Sequence, residues 1–159
     1  MNQIDEALTA LRRVIRAIDL HSKQLVKTAS VTGPQLRLLQ LIKQNSGATI
    51  KEIAREMSLS QATVTTIIDR LESREIVSRV RSLTDKRKVH LLLTEHGEAI
   101  LMKAPTVLQD FFVDRFEQLA DWEKHMIISS IQRVADMMNA NEIDASPFLE
   151  LESLDRDVQ

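Results

Sequence analysis

Apolar positions spaced three and four residues apart govern the chain from its start. Ile4, Leu8, Leu11, Ile15 and Ile18, with Leu25 further on, share one face of a helix expected over Ile4 to Lys27, a stretch without glycine or proline. Thr32-Gly-Pro-Gln35 opens a second helix, because Thr32 can cap it and Pro34 suits a first turn whose amides lack partners. Leu36, Leu39 and Ile42 form its stripe, and Asn45-Ser46-Gly47 ends it. Thr49-Ile-Lys-Glu52 has the spacing of a reciprocal N-terminal cap, and the short helix behind it buries Ile53, Ala54 and Met57. Ser58-Leu59 turns the chain. Ser60 then caps a fourth helix with Val64, Ile67, Ile68 and Leu71 on one face, so this pair reads as a helix-turn-helix.

Beyond Arg74-Glu75 the period changes. Ile76 to Arg81 and Val89 to Leu93 are rich in β-branched and aliphatic residues and flank a polar, basic loop, Ser82 to Lys88, which predicts a hairpin. Thr94 can cap a long fifth helix through Leu101, Leu108, Phe112 and Phe116, kinked at Pro105. Asp121 opens a sixth helix through Trp122, Ile127, Ile131, Val134 and Met138. The expected fold is mainly α with a small β-wing: a winged helix-turn-helix over residues 31–94, flanking helices at 1–30 and 95–140, and an acidic tail at 141–159.

Composition removes most other functions. Three glycines and three prolines in 159 residues argue against turn-rich all-β folds and glycine-rich phosphate loops. The absence of cysteine excludes a disulfide framework, a zinc ribbon and a thiol switch. No apolar run reaches the roughly 18 residues of a membrane span, and the charged, polar start does not read as a secretory signal, so the cytoplasm is the expected compartment. His21, His90, His96 and His125 are dispersed and expected to be structural or surface residues, with no metal. Met126, Met137 and Met138 read as core or interface filler. No nucleophile motif, P-loop or dinucleotide fingerprint occurs, so neither an enzyme nor a cofactor is expected. With 3% aromatics and no tyrosine, the stacking platforms of single-strand binders are missing.

Charge is split along the chain. Residues 1–90 hold sixteen Lys and Arg against nine Asp and Glu, and residues 91–159 hold five against fourteen. Whole-chain balance is −2, yet the first part is strongly cationic. With its apolar face inward, the fourth helix turns Ala62, Thr63, Thr66, Arg70 and Ser73 outward, with Gln61 at the N-terminal end where a recognition helix meets base edges. Small residues let such a helix sink into a major groove. Gln pairs with adenine, Arg with guanine, and Thr contacts phosphate or a thymine methyl. From Arg74 to Lys88 six basic residues face two acidic ones, placing a cationic wing beside that helix to reach phosphates or the minor groove. Ser60, Gln61, Ala62, Thr63, Thr65, Thr66 and Arg70 on the helix, with Arg79, Arg81, Asp85, Lys86, Arg87 and Lys88 on the wing, form the expected DNA-binding set.

Ser60-Gln-Ala-Thr-Val-Thr-Thr-Ile-Ile-Asp-Arg-Leu71, Thr84-Asp-Lys-Arg-Lys-Val89 and Leu93-Thr-Glu-His-Gly97 resemble the MarR family, and the likeness extends over about residues 4 to 140. The resemblance implies a homodimeric winged-helix repressor whose first, fifth and sixth helices build the dimer interface, on a pseudo-palindromic operator in double-stranded DNA. It also implies that Arg87 enters the minor groove while Asp85 holds the wing or a neighbouring arginine in position. Leu11 to Leu25 is similar to MarR-type regulators of ectoine and compatible-solute genes, which points to osmotic stress.

The competing expectation is a winged-helix protein-interaction module without specific DNA binding. The family likeness also implies a place for a small anionic effector, unidentified, near Arg12, Arg13 and Arg16. The plainer expectation is that these arginines are solvent-exposed or paired with acids. The tail, with six acids and one base from Asn139 onward, reads as disordered. The sharper alternative docks Phe148, Leu149, Leu151 and Leu154 on a partner subunit.

Overall fold

A computed structural model describes residues 2–143, 145 and 147–149. Its elements run α1 (Gln3–Ala29), α2 (Gly33–Gln44), α3 (Ile50–Met57), α4 (Gln61–Ser73), β1 (Val77–Arg81), β2 (Val89–Leu93), α5 (Glu95–Lys103), α6 (Leu108–Glu117) and α7 (Asp121–Met137). They divide into two compact units, the first ending at Pro105 and the second spanning Thr106–Leu149. No described helix is long and apolar enough to cross a membrane.

Local chemistry explains where the helices begin. Asn2 accepts from the Asp5 amide at 2.8 Å and starts α1. Thr32 and Gln35 satisfy each other's backbone amides at 3.0 and 3.4 Å to start α2. Thr49 and Glu52 do the same for α3 at 2.8 and 3.3 Å. The hydrogen bond from the Thr49 amide holds the Glu52 carboxyl below its ordinary pKa, followed by that from the Thr49 hydroxyl. This cap is therefore at full strength at neutral pH and weakens as acid protonates Glu52.

In the first unit the predicted apolar stripes converge. Leu36, Leu38, Leu39 and Ile42 of α2, Ile53 of α3, Val64, Ile68 and Leu71 of α4, and Ile76, Val77 and Leu91 of the wing are buried together. Ile67 is only half-buried. The wing is one antiparallel pair in which Val77 faces Leu93 and Arg81 faces Val89. The outer edge of β2 is covered as well: the Leu91 amide donates to the Ala48 carbonyl at 3.2 Å, and Thr49 bridges His90. The His90 ring nitrogen Nδ1 meets the Gly47 carbonyl, a structural role.

Between α4 and β1 the chain reverses through Glu75, whose φ of 55° lies in the left-handed region. A side chain there costs about 1–2 kcal/mol. Replacing Glu75 with glycine should therefore raise stability by about 0.5–1 kcal/mol, after the extra freedom glycine has in the unfolded chain is deducted. A higher chemical-denaturation midpoint checks this, and a lower one would refute it.

The long fifth helix expected through Pro105 is two helices. Pro105 has no amide to donate, and its ring pushes the preceding residue out of helical geometry. Ala104 accordingly sits at ψ 130° and Val107 at ψ 140°, and residues 104–107 are not helical. The break also separates the two units, leaving α1 and α5 in the same unit as the winged helix, with α5 packed on α1 and α2.

In the second unit no described residue is fully buried. Phe112 stacks on Phe116 with centroids 5.5 Å apart, and the Arg115 guanidinium lies 5.5 Å from the Phe111 ring centre. The Glu123 carboxylate caps α7 by accepting from the Ala120 amide at 2.9 Å. Leu149 donates its amide to Gln109 at 3.1 Å, and Phe148 is half-buried. Leu151, Leu154 and the rest of the expected disordered tail from residue 150 lie outside the described residues.

Candidate nucleic-acid interface

Helix α4 is held by its ends and one flank. At its start the Ser60 hydroxyl accepts from the Thr63 amide at 3.1 Å and lies 2.8 Å from the Thr63 hydroxyl. Thr66 donates back to the Ala62 carbonyl at 3.1 Å. These hydroxyls are thus partly occupied in shaping the helix. Ala62 is exposed and small, Thr65 is half-buried, and Gln61 and Arg70 project into solvent with no hydrogen-bond partner among the described residues. At its end, Arg74 donates to the Ser30 carbonyl at 2.7 Å, fixing the foot of α4 to the last turn of α1.

The flank is fixed by Arg79. Its guanidinium donates to Asp69 at 2.5 Å and to Glu72 at 2.8 Å, so strand β1 is clamped to helix α4. The Asp69 hydrogen bond, opposed by partial burial, raises the arginine's pKa above its ordinary value and keeps it charged. Sequence reasoning grouped Arg79 with the DNA-facing cations. In the structure its guanidinium is paired with two carboxylates of α4, which ties the wing to that helix.

At the wing tip, Ser82 accepts from the amides of Thr84 and Asp85 at 3.3 and 3.2 Å, and its own amide donates to the Lys88 carbonyl at 2.9 Å. Asp85 accepts from the Arg87 amide at 3.0 Å. Asp85 therefore shapes the turn through backbone groups and makes no ion pair among the described residues. Arg81, Lys86 and Arg87 are exposed with no ion-pair partner among the described residues, and exposed Lys88 shares an electrostatic interaction with Glu52.

The root of the wing explains the Leu-Thr-Glu-His-Gly sequence. The Thr94 hydroxyl caps α5 by accepting from the Gly97 amide at 3.1 Å, and it lies 2.6 and 3.0 Å from the carbonyls of Glu75 and Ile76. One threonine thus joins the α4–β1 turn, the end of β2 and the start of α5. A Cβ on Gly97 would collide with the Ile76 carbonyl oxygen, so only glycine fits.

The three arginines considered for an anionic effector are exposed. Arg16 pairs with Asp19 at 2.9 Å, which also takes Lys23 at 3.0 Å, and Arg12 donates to Thr9 at 3.1 Å. Two of the three are thus engaged on their own helix.

The chain is similar to known proteins in sequence and in fold. The chain is 30% identical over 129 residues to the uncharacterized helix-turn-helix transcriptional regulator YsmB of Bacillus subtilis (strain 168), covering 81% of this chain and 88% of that one. The chain belongs to the MarR family. The MarR family model matches residues 31–89, from the end of α1 to the first residue of β2. The homoprotocatechuate degradative operon repressor of Escherichia coli is 23% identical over 146 residues, 87% of this MarR-family chain and 99% of the repressor. In fold, the chain is similar to MepR from S. aureus in its DNA complex, with a TM-score of 0.58 at 17% identity over 82% of this chain and 96% of that one. It is a MarR-family helix-turn-helix transcriptional regulator, not an enzyme.

Proposed function

We propose that this MarR-family protein is a homodimeric repressor that binds a pseudo-palindromic operator in double-stranded DNA. The observation that carries the reading is the placement of unpaired donors. Among the described residues, the side chains of Gln61 and Arg70 have no partner on the exposed face of α4, and those of Arg81, Lys86 and Arg87 have none on a wing that Arg79 clamps to the same helix. In this reading Gln61 and Arg70 meet base edges or phosphate, Arg87 enters the minor groove, and Arg81, Lys86 and Lys88 neutralise phosphates. Ser60, Ala62, Thr63, Thr65 and Thr66 shape the helix and line its approach. The repressor sense follows the E. coli relative's name.

A two-fold pair would set two such helices roughly 34 Å apart, one turn of duplex. The single chain leaves the apolar surface for it. Ile4, Leu8 and Ile15 of α1 are 70%, 46% and 48% exposed, and Trp122 and Ile131 of α7 are 67% and 58% exposed. Ile15→Glu should weaken the dimer at least about tenfold, because a carboxylate would lose water on association. Sedimentation equilibrium reads this, and an unchanged dimer would refute α1 as the interface.

Arg70→Ala and Arg87→Ala should each weaken operator binding about tenfold. Fluorescence anisotropy against operator and scrambled duplex at fixed salt tests both. If binding is weak, indifferent to sequence and gone near physiological salt, the protein is an interaction module instead. The likeness of Leu11–Leu25 to compatible-solute regulators makes potassium glutamate the first signal to titrate. Counterion release predicts a steep fall in affinity with salt, and a flat response would remove ionic strength as the signal.

A further inference from the structure

The wing tip carries one apolar residue among its cations. Leu83 is 101% exposed, so no atom of the protein covers its side chain. The tip holding it is cross-linked by hydrogen bonds: Ser82 gathers the amides of Thr84 and Asp85, and the Lys88 amide donates to the Asp85 carbonyl at 2.9 Å. Exposed Arg81, Lys86, Arg87 and Lys88 surround it in sequence. An apolar groove on another protein would require those four charges to lose water without partners. A duplex groove supplies phosphates for the cations, and its sugar walls and base steps give the leucine an apolar seat.

Resting on the operator-binding reading, we propose that Leu83 is a specificity-determining residue: it enters the minor groove beside the wing cations and wedges against a deformable base step. An aliphatic side chain pressed into that groove partly unstacks the step, and this is cheapest at pyrimidine–purine steps. The leucine would thus favour such steps at positions flanking the bases read by α4, without a hydrogen bond to any of them.

The test is selection from a randomised 30-base-pair duplex library by the full-length wild type, Leu83→Ala and Leu83→Lys, followed by anisotropy on the wild-type winner. Because the Leu83 side chain is fully exposed, all three proteins should melt alike. Leu83→Ala should keep the central preference and lose the flanking one. It should bind the winner about tenfold more weakly with an unchanged salt slope, since no charge is altered. Leu83→Lys should also lose the flanking preference while steepening the salt slope by about one. 2-Aminopurine at the flanking step should brighten with wild type and stay quenched with Leu83→Ala. Identical flanks, with Leu83→Ala affinity within about twofold of wild type, would overturn the proposal and leave operator binding intact. If the wild type enriches no sequence, the operator reading falls and this inference with it.

Discussion

Gly97→Ala should cost about 3 kcal/mol of stability, a fall in Tm of roughly 10 °C for a chain of this size. The new methyl group would enter the Ile76 carbonyl oxygen. That oxygen cannot retreat, because it accepts from the Thr94 amide at 3.2 Å and lies 3.0 Å from the Thr94 hydroxyl. Within a helix alanine is otherwise favoured over glycine by about 1 kcal/mol, so the loss would have the opposite sign from helix propensity. Differential scanning calorimetry decides between them. A melting temperature at or above that of wild type would show that the wing root yields.

Arg79→Ala should weaken operator binding by about 30- to 100-fold, more than losing either free arginine, while costing only about 1 kcal/mol of stability. Two effects combine. The wing loses its clamp to α4, and Asp69 and Glu72 are left as unmatched negative charges beside the reading face. Arg79→Lys should recover only part of the affinity, because one ammonium lacks the planar fork that holds two carboxylates. A triple variant, Arg79→Ala with Asp69→Asn and Glu72→Gln, separates the effects: it removes the unmatched carboxylates, leaving the site one unit more positive than wild type, but does not restore the clamp. Binding of the triple variant should remain at least about tenfold below wild type, and full recovery would refute the positioning role.

What was legible in the sequence was local. The caps at Thr32, Thr49, Ser60 and Thr94 lie where a hydroxyl three residues before a free amide has to place them, and the burial of Val64, Ile68 and Leu71 follows from helical spacing. The hairpin was legible because aliphatic runs flank a polar loop. At Pro105 the helix breaks where the sequence predicts a kink. Sequence marks the missing amide, but a kink and a break differ by whether the following residues still find helical partners, and Thr106 and Val107 do not continue the helix. The pairing of Arg79 is not legible from its sequence neighbours. Its partners lie seven and ten residues away on another element, so its pairing exists only once β1 has folded back on α4. The exposure of Gln61 and Arg70 follows from helical phase, that of Lys86 and Arg87 from loop position and that of Arg81 from its place at the end of β1, whereas the partial occupation of the Ser60, Thr63 and Thr66 hydroxyls requires coordinates.

Arg74 grips a neutral carbonyl at the end of α1, whereas Arg79 grips two carboxylates that are 59% and 40% exposed. Mobile ions weaken attraction between full charges near the surface far more than a hydrogen bond to a backbone dipole. Brine would therefore slacken the wing while the heel of the reading helix stays pinned. On the operator-binding reading, a rise in electrolyte would act twice over, once through the phosphates given up and once through the stiffness of the arm proposed to reach for them.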